Sequence, residues 1–250
     1  MIDSRVMRFS LALLASIAVA GCLGGGSGGG NSAVDPGSGG VTNPDGSDPN
    51  PDGGGTTNLG GSIDSSDYEA EFDRVTAIAP TSDMPTSIQA TYAGQMRADV
   101  TNSSEIVGEI VGDVNLDVAW TDGQGSNPFS GGASNFQGRS TGGEFEAIDG
   151  TLTVDPAFGA TIARTVIPAG NIGGFNIPET QTGAMTVTLT GQLSQGDSAA
   201  DTTVQLGGNF FGAGASAAAG AAVGGFSDAS ADSPAIFDGA IGGTYYLERQ

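Results

Sequence analysis

Met185-Thr186-Val187-Thr188-Leu189-Thr190-Gly191-Gln192-Leu193 puts an apolar side chain at every second position except Gly191, and a hydroxyl or amide between. Successive side chains of a strand point to opposite faces, so this stretch reads as a strand with one dry face and one wet face. The same period appears elsewhere. Tyr92, Met96 and Val100 share one face against Thr91, Gln95, Arg97 and Asp99, while Val114, Leu116, Val118 and Trp120 alternate with Asp113, Asn115 and Asp117. Ile148, Leu152 and Val154, then Val204, Leu206 and Phe210, extend the pattern. Strands of parallel sheets are covered on both faces and read as continuous apolar runs, whereas antiparallel sheets leave one face in water. Breaks such as Asp122-Gly123-Gln124-Gly125-Ser126-Asn127-Pro128 separate about eight such segments. The expectation is an all-β fold, an eight-stranded antiparallel β-barrel over residues 89–250. Closure removes the edges that an open sheet exposes, and interior glycines suit the bends of curling strands.

Ahead of the strands, Ser66-Asp67-Tyr68-Glu69 fits a capping box, with Tyr68, Phe72, Val75 and Ala79 at helical spacing until Pro80. A short amphipathic helix is expected at 67–79, within a lead-in of 63–88, its apolar stripe packed on the domain because so short a helix is marginal alone. Further upstream the composition changes. Residues 24–61 hold 15 Gly and four Pro, with only Ala33, Val34, Val41 and Leu59 clearly apolar, so residues 22–62 read as a flexible tether spanning roughly 35 Å root-mean-square. Asp48-Pro49-Asn50-Pro51-Asp52-Gly53 imitates the start of a calcium loop, but Leu59 stands where its closing Glu belongs.

At the start of the chain Arg5 and Arg8 precede twelve mostly apolar residues, Phe9 to Ala20, too few to span a bilayer at roughly 18 to 20 residues. Residues 1–21 therefore read as a secretory signal. Val19-Ala20-Gly21-Cys22 resembles the lipobox of bacterial lipoproteins. That resemblance implies cleavage before Cys22 and attachment of acyl chains there, with membrane partnership through the lipid rather than a transmembrane helix. Cys22 is the single cysteine, so no disulfide is expected.

The formal net charge is −21; removal of residues 1–21 takes away one acid and two arginines, leaving 27 acids against five arginines, or −22. So acidic a surface repels phosphate backbones, and no nucleic acid partner is expected. Histidine and lysine are both absent. Ser-His-Asp and Cys-His catalysis, histidine-ligated zinc and haem, the phosphate-binding lysine loop and Schiff-base chemistry all go with them. No metal, cofactor or catalytic residue is expected. A carboxylate pair of the glycosidase kind is the one enzymatic option left. Glu144 with Glu146, and Glu105 with Glu109, are the candidates, and alternating acids read better as a solvated strand face. Asp113, Asn115 and Asp117 spread over about 13 Å at strand spacing, too far for one ion. Gly212-Ala213-Gly214-Ala215-Ser216-Ala217 has the outline of a dinucleotide-binding fingerprint without the flanking strand and helix units, and reads as a turn.

Gly208-Asn209-Phe210-Phe211-Gly212, Gly224-Gly225-Phe226 and Phe237-Asp238-Gly239-Ala240-Ile241-Gly242-Gly243, with Tyr92-Ala93-Gly94 behind Met84-Pro85-Thr86-Ser87, resemble the barrels of transferrin-binding protein B type surface lipoproteins. The resemblance implies an eight-stranded barrel, a lipid anchor at the outer membrane, cell-surface display and capture of a host or environmental ligand in iron or nutrient acquisition. The expected function is accordingly a noncatalytic, surface-exposed binding lipoprotein. The alternative is a structural or protective envelope lipoprotein without a specific small ligand, and an acid/base glycosidase comes third. A barrel of eight strands fills its own interior, so a protein or nutrient ligand would meet loops. Candidate contact loops are 121–129, 140–144 and 168–178; Ile172 and Phe175 in the last read as caps over the barrel end.

Overall fold

The computed structural model describes residues 65–227, 229 and 235–250. The signal sequence, the lipobox with Cys22, the tether of 22–62 and the calcium-loop imitation lie outside the described residues. The described elements are α1 (Ser65–Thr76), β1 (Ser87–Asn102), β2 (Glu105–Thr121), β3 (Phe129–Ser140), β4 (Glu146–Ala147), β5 (Asp149–Gly150), β6 (Leu152–Val154), β7 (Thr161–Ile167), β8 (Gly170–Ile172), β9 (Phe175–Ile177), β10 (Thr180–Gln195), β11 (Ser198–Phe211), β12 (Ala217–Ser227) and β13 (Ala240–Arg249), with a 3-10 turn at Ala235–Phe237. The fold is all-β with one short helix among the described residues.

All pairings between the named strands are antiparallel. β1 pairs with β2, β2 with β3, β10 with β11, β11 with β12, β12 with β13, and β13 returns to β1. β6 joins β3 to β10 through Gly132↔Thr153 and Leu189↔Val154. A path through β1, β2, β3, β6, β10, β11, β12 and β13 thus comes back to its start. One side of this ring is a patchwork. Between β3 and β10 the chain supplies β4, β5 and β6 in pieces, bulges at 155–160, and resumes as β7 against the start of β10.

The period-two faces fall as read. Tyr92, Met96, Val100, Val114, Leu116, Val118, Trp120, Met185, Val187, Leu189 and Leu193 are buried in one cluster with Ile148, Leu152, Val204, Leu206 and Phe210. Side chains meet across the ring, so its interior is filled with hydrocarbon and aromatic rings. Phe136 needs a vacancy. It finds one at Gly112, where a Cβ would come within 2.5 Å of the Phe136 ring, and Asn135 at φ 53° forms part of the irregularity that turns Phe136 inward.

α1 lies outside the ring, on β12 and β13. Its apolar stripe of Tyr68 and Val75, with Phe72, packs on Ala217, Ala219 and Tyr246. Small side chains on β12 let the helix approach the wall. Tyr68 stacks on Phe72 at 6.0 Å and tilts against Tyr246 at 5.5 Å, and its hydroxyl hydrogen-bonds to Thr244 Oγ1 at 2.8 Å. The helix ends at Thr76 rather than at 79. Thr76 Oγ1 donates to Phe72 O at 2.8 Å and Ile78 N to Val75 O at 3.1 Å, which closes the last turn before Pro80 bridges to Phe211. Residues 83–86 then cross to the ring, with Met84 N donating to Gln181 O at 2.9 Å, and β1 starts at Ser87, two residues before the expected boundary.

Candidate functional site

The strand directions sort the connecting segments to two ends of the ring. The β1 entry end carries 121–129, 168–179 and the 212–216 turn; the far end carries 103–104, 141–145 and 196–197. Two of the expected contact loops, 121–129 and 168–178, therefore share an end, and 140–144 lies at the other.

The 121–129 loop is tied to itself. Thr121 N donates to Gln124 Oε1 at 3.0 Å, Gln124 Nε2 donates to Ser126 O at 3.2 Å, and Phe129 N donates to Asn127 Oδ1 at 2.8 Å. Beside it an open groove of about 500 Å³ runs over the ends of β1, β2 and β3, with Gln89, Thr91, Asp117, Asn127 and Ser130 along it. Thr91 Oγ1 already donates to Asp117 Oδ1 at 2.6 Å. The Asp113, Asn115, Asp117 row is an outer strand face, with Asp113 accepting from Gln95 at 3.2 Å and Asn135 at 2.9 Å.

Residues 168–178 are a hairpin. Gly173 and Gly174, at φ 61° and 88°, form the two-residue turn that glycine makes at no steric cost, and β8 and β9 pair from Ile172↔Phe175 to Gly170↔Ile177. Below it Ile167↔Thr180 to Arg164↔Gly183 continue the same register. The gap between holds Pro168 on one strand and Pro178 on the other, and neither has an N–H to give to a ladder. The whole of 161–183 is thus one long ribbon, and its outer half stands past the ring. Phe175 is 79% exposed, with Val166 at 44%, Ile167 at 48% and Ile177 at 39%. The expectation that Phe175 caps the ring end is corrected: the ribbon carries it away into solvent. The side chain of Ile172 lies outside the described residues. At the base of the ribbon Arg164 donates through Nε to Met84 O at 3.0 Å and through its Nη atoms to Gln181 Oε1 at 2.6 Å and Asp122 Oδ2 at 3.2 Å.

The carboxylate candidates separate. Glu144 and Glu146 border a far-end cleft of about 140 Å³ with Arg139, Ser140, Gln195 and Ile236, and Gln195 Nε2 donates to Glu146 Oε2 at 2.9 Å. Glu105 is exposed at the β2 start. Glu109, expected on a solvated face, is 6% exposed. It pairs with Arg97 and, at 2.6 Å, with Arg139; Arg97 also pairs with Glu69 of α1 at 2.5 Å, and Arg139 lies 4.6 Å over the Phe145 ring. Those cations turn Glu109 into a clamp between wall and helix. Sequence reading missed it because the partners come from two neighbouring strands. Among the described residues no three His, Cys, Asp or Glu side chains are grouped to hold a metal, and no helix is long and apolar enough to cross a membrane.

Inside the ring, Tyr92 Oη donates to Ala215 O at 2.5 Å, while Tyr245 Oη is buried without a hydrogen-bond partner. Burial pushes the Tyr92 phenol up to about 12 and raises Tyr245 too, so both are neutral wherever the fold stands near neutral pH. Comparison with known proteins returned no matching family model, no matching curated protein and no matching solved structure.

Proposed function

We propose that this chain is a noncatalytic lipoprotein, anchored at the outer membrane through Cys22 and displayed at the cell surface on the 22–62 tether. Its ring is an eight-stranded β-barrel of the transferrin-binding protein B kind, and its entry-end segments capture a host or environmental ligand, in iron or nutrient acquisition by resemblance. One observation carries the binding reading. The interior is filled and, among the described residues, four of the seven exposed large apolar side chains, Val166, Ile167, Phe175 and Ile177, gather on the ribbon at one end. Soluble monomers scatter such side chains singly, and a gathered set marks an interaction site.

The test is made in a bacterium with an outer membrane. The full chain takes up labelled palmitate and fractionates with the outer membrane, and protease added to whole cells releases the folded domain. Cys22→Ala abolishes labelling and membrane retention. Labelling that persists in that variant, or a domain protected from protease in intact cells, overturns the anchored, displayed reading.

A further inference from the structure

Beyond the ring, the alternation of 161–183 continues without a core to face. On one side of the ribbon stand Val166, Phe175 and Ile177; on the other stand Thr165, Asn171, Asn176, Thr180 and Thr182, interrupted by Ile167 opposite Thr180, with Asn171 Nδ2 donating across to Asn176 Oδ1 at 2.9 Å. A two-faced ribbon with its dry face in water is an unfinished sheet packing. From Thr165 to Pro178 there is no charged residue, in a chain of net charge −21. The charges return at the base, all but one negative. Glu179 falls on the apolar side by register, where it accepts from Gln181 Nε2 at 2.8 Å; Asp83 bridges to Gln181, and the one cation, Arg164, on that same side, is held by Asp122 at 3.2 Å.

The same molecule shows how such a face is completed. On β12 and β13 a helix of 12 residues lays its apolar stripe over the wall, and ion pairs Arg97–Glu69 and Arg74–Glu248 border the contact. We infer that the uncovered face of the ribbon is a docking site for a basic amphipathic helix of a partner protein. It deepens the binding reading above and does not depend on the anchor. The face runs roughly 20 Å from Val166 to the turn, the length of a helix of about 13 residues. Charge selects the partner. A second copy brings another strongly acidic surface, with Arg74, Arg97, Arg139 and Arg164 of the five described arginines already engaged in ion pairs and Arg249 alone set against the acids, so self-docking is opposed. A lipid surface would strip water from Glu179 and set a layer of anionic phosphates against an acidic chain. A helix whose Leu stripe is bordered by Lys covers Phe175 and Ile177 and pairs with Glu179.

The probe is a 14-residue peptide of Leu and Lys with Leu at helical i, i+3, i+4, i+7 spacing, beside a twin with Glu in place of Lys, titrated against the full chain. The Leu/Lys peptide binds; Phe175→Ser combined with Ile177→Thr weakens it about tenfold or more, as hot-spot truncations do. Glu179→Gln weakens it about threefold and flattens its salt dependence. Val223→Ser, at an exposed apolar position on the wall, changes nothing. Circular dichroism and an unchanged melting temperature certify the fold of each variant. Absence of Leu/Lys binding, equal binding by the double variant, or equal binding of the Leu/Glu twin overturns the inference. So does retention on neutral phosphatidylcholine vesicles, or dimerisation by ultracentrifugation, that the double variant alone loses. None of these results touches the Cys22 anchor, which palmitate labelling reads separately.

Discussion

On the outer wall of β12 and β13, Ala217, Ala219 and Tyr246 are apolar and lie under α1; on the ribbon past the entry end, Val166, Phe175 and Ile177 are as apolar and lie in water. Both are strand faces of one chain. The first is wide enough, across two long strands, for a helix to bury Tyr68 and Val75 to within 1% of full cover. The second is a two-stranded ribbon interrupted by Pro168 and Pro178, which by itself has little core to gain. The covered face therefore contributes to stability, and the open one is free to serve recognition.

Alkali gives the largest separation of the two. The chain has four tyrosines, Tyr68 and Tyr246 on the covered face and Tyr92 and Tyr245 in the interior, and none on the ribbon. Burial raises all four, with the Thr244 hydrogen bond partly offsetting it at Tyr68, and Tyr68 and Tyr92 are pushed up to about 12 from 10.0. A phenol ionises more easily in the unfolded chain. Its contribution is full below pH 10.0 and is lost as the pH rises through about 12, so the folded state gives way in that window. Tyrosinate absorbance and loss of the β-sheet circular dichroism signal should rise together there. Tyr68 and Tyr246 phenols that titrate near 10.0 in the folded protein, as told by their loss in Tyr→Phe variants, would show that the helix does not cover its face.

Next in size is a single truncation under the helix. Tyr68→Ala removes a ring packed between Phe72 and Tyr246 and leaves Thr244 without its hydroxyl partner. The expected loss is about 3 kcal/mol in chemical denaturation, at the lower end for aromatic-to-Ala changes in cores. A loss below about 1 kcal/mol would mean α1 is loosely held. The ion pairs bordering the helix are less of a support. Arg74 and Glu248 are 47% and 34% exposed, and exposed pairs are worth a fraction of a kcal/mol.

The covered face was half legible in the sequence. The stripe of Tyr68, Phe72 and Val75 announced a helix that must pack on something, but the face that receives it comes from Ala217, Ala219 and Tyr246, whose neighbourhood is set by the β12 and β13 register. The buried Glu109 illustrates the same limit. Alternation along β2 places it on the outer side, and only the pairing Glu109↔Arg139 with β3 and the reach of Arg97 from β1 turn that side dry. Long strands with clean alternation, such as β10, could be read directly. The patchwork of β4 to β7 could not, because strands of two or three residues carry too little period to separate from loop. The ribbon tip suffered twice: Ile167-Pro168 and Ile177-Pro178 look like chain breaks, and an aromatic between them looks like a plug. The Gly173-Gly174 pair was the available signal, since two adjacent glycines flanked by Ile172 and Phe175 fit a two-residue hairpin turn.

The smallest effect is the sharpest test of the contrast. Phe175→Ser takes a large aromatic from a face where it is 79% exposed, so almost no apolar area returns to water and no cavity forms. The expected change in unfolding free energy is within about 0.5 kcal/mol, the range for surface substitutions. Tyr68, on the buried side of α1, and Phe175, on the ribbon, are both aromatic residues outside the ring, and the ratio of their effects measures the cover over each. If Phe175→Ser costs about as much as Tyr68→Ala, the ribbon folds back on the body in solution. Its apolar face would then be shut, and the docking site with it. If the cost is nil while the Leu/Lys peptide loses its hold, the ring and α1 supply stability and the ribbon supplies recognition.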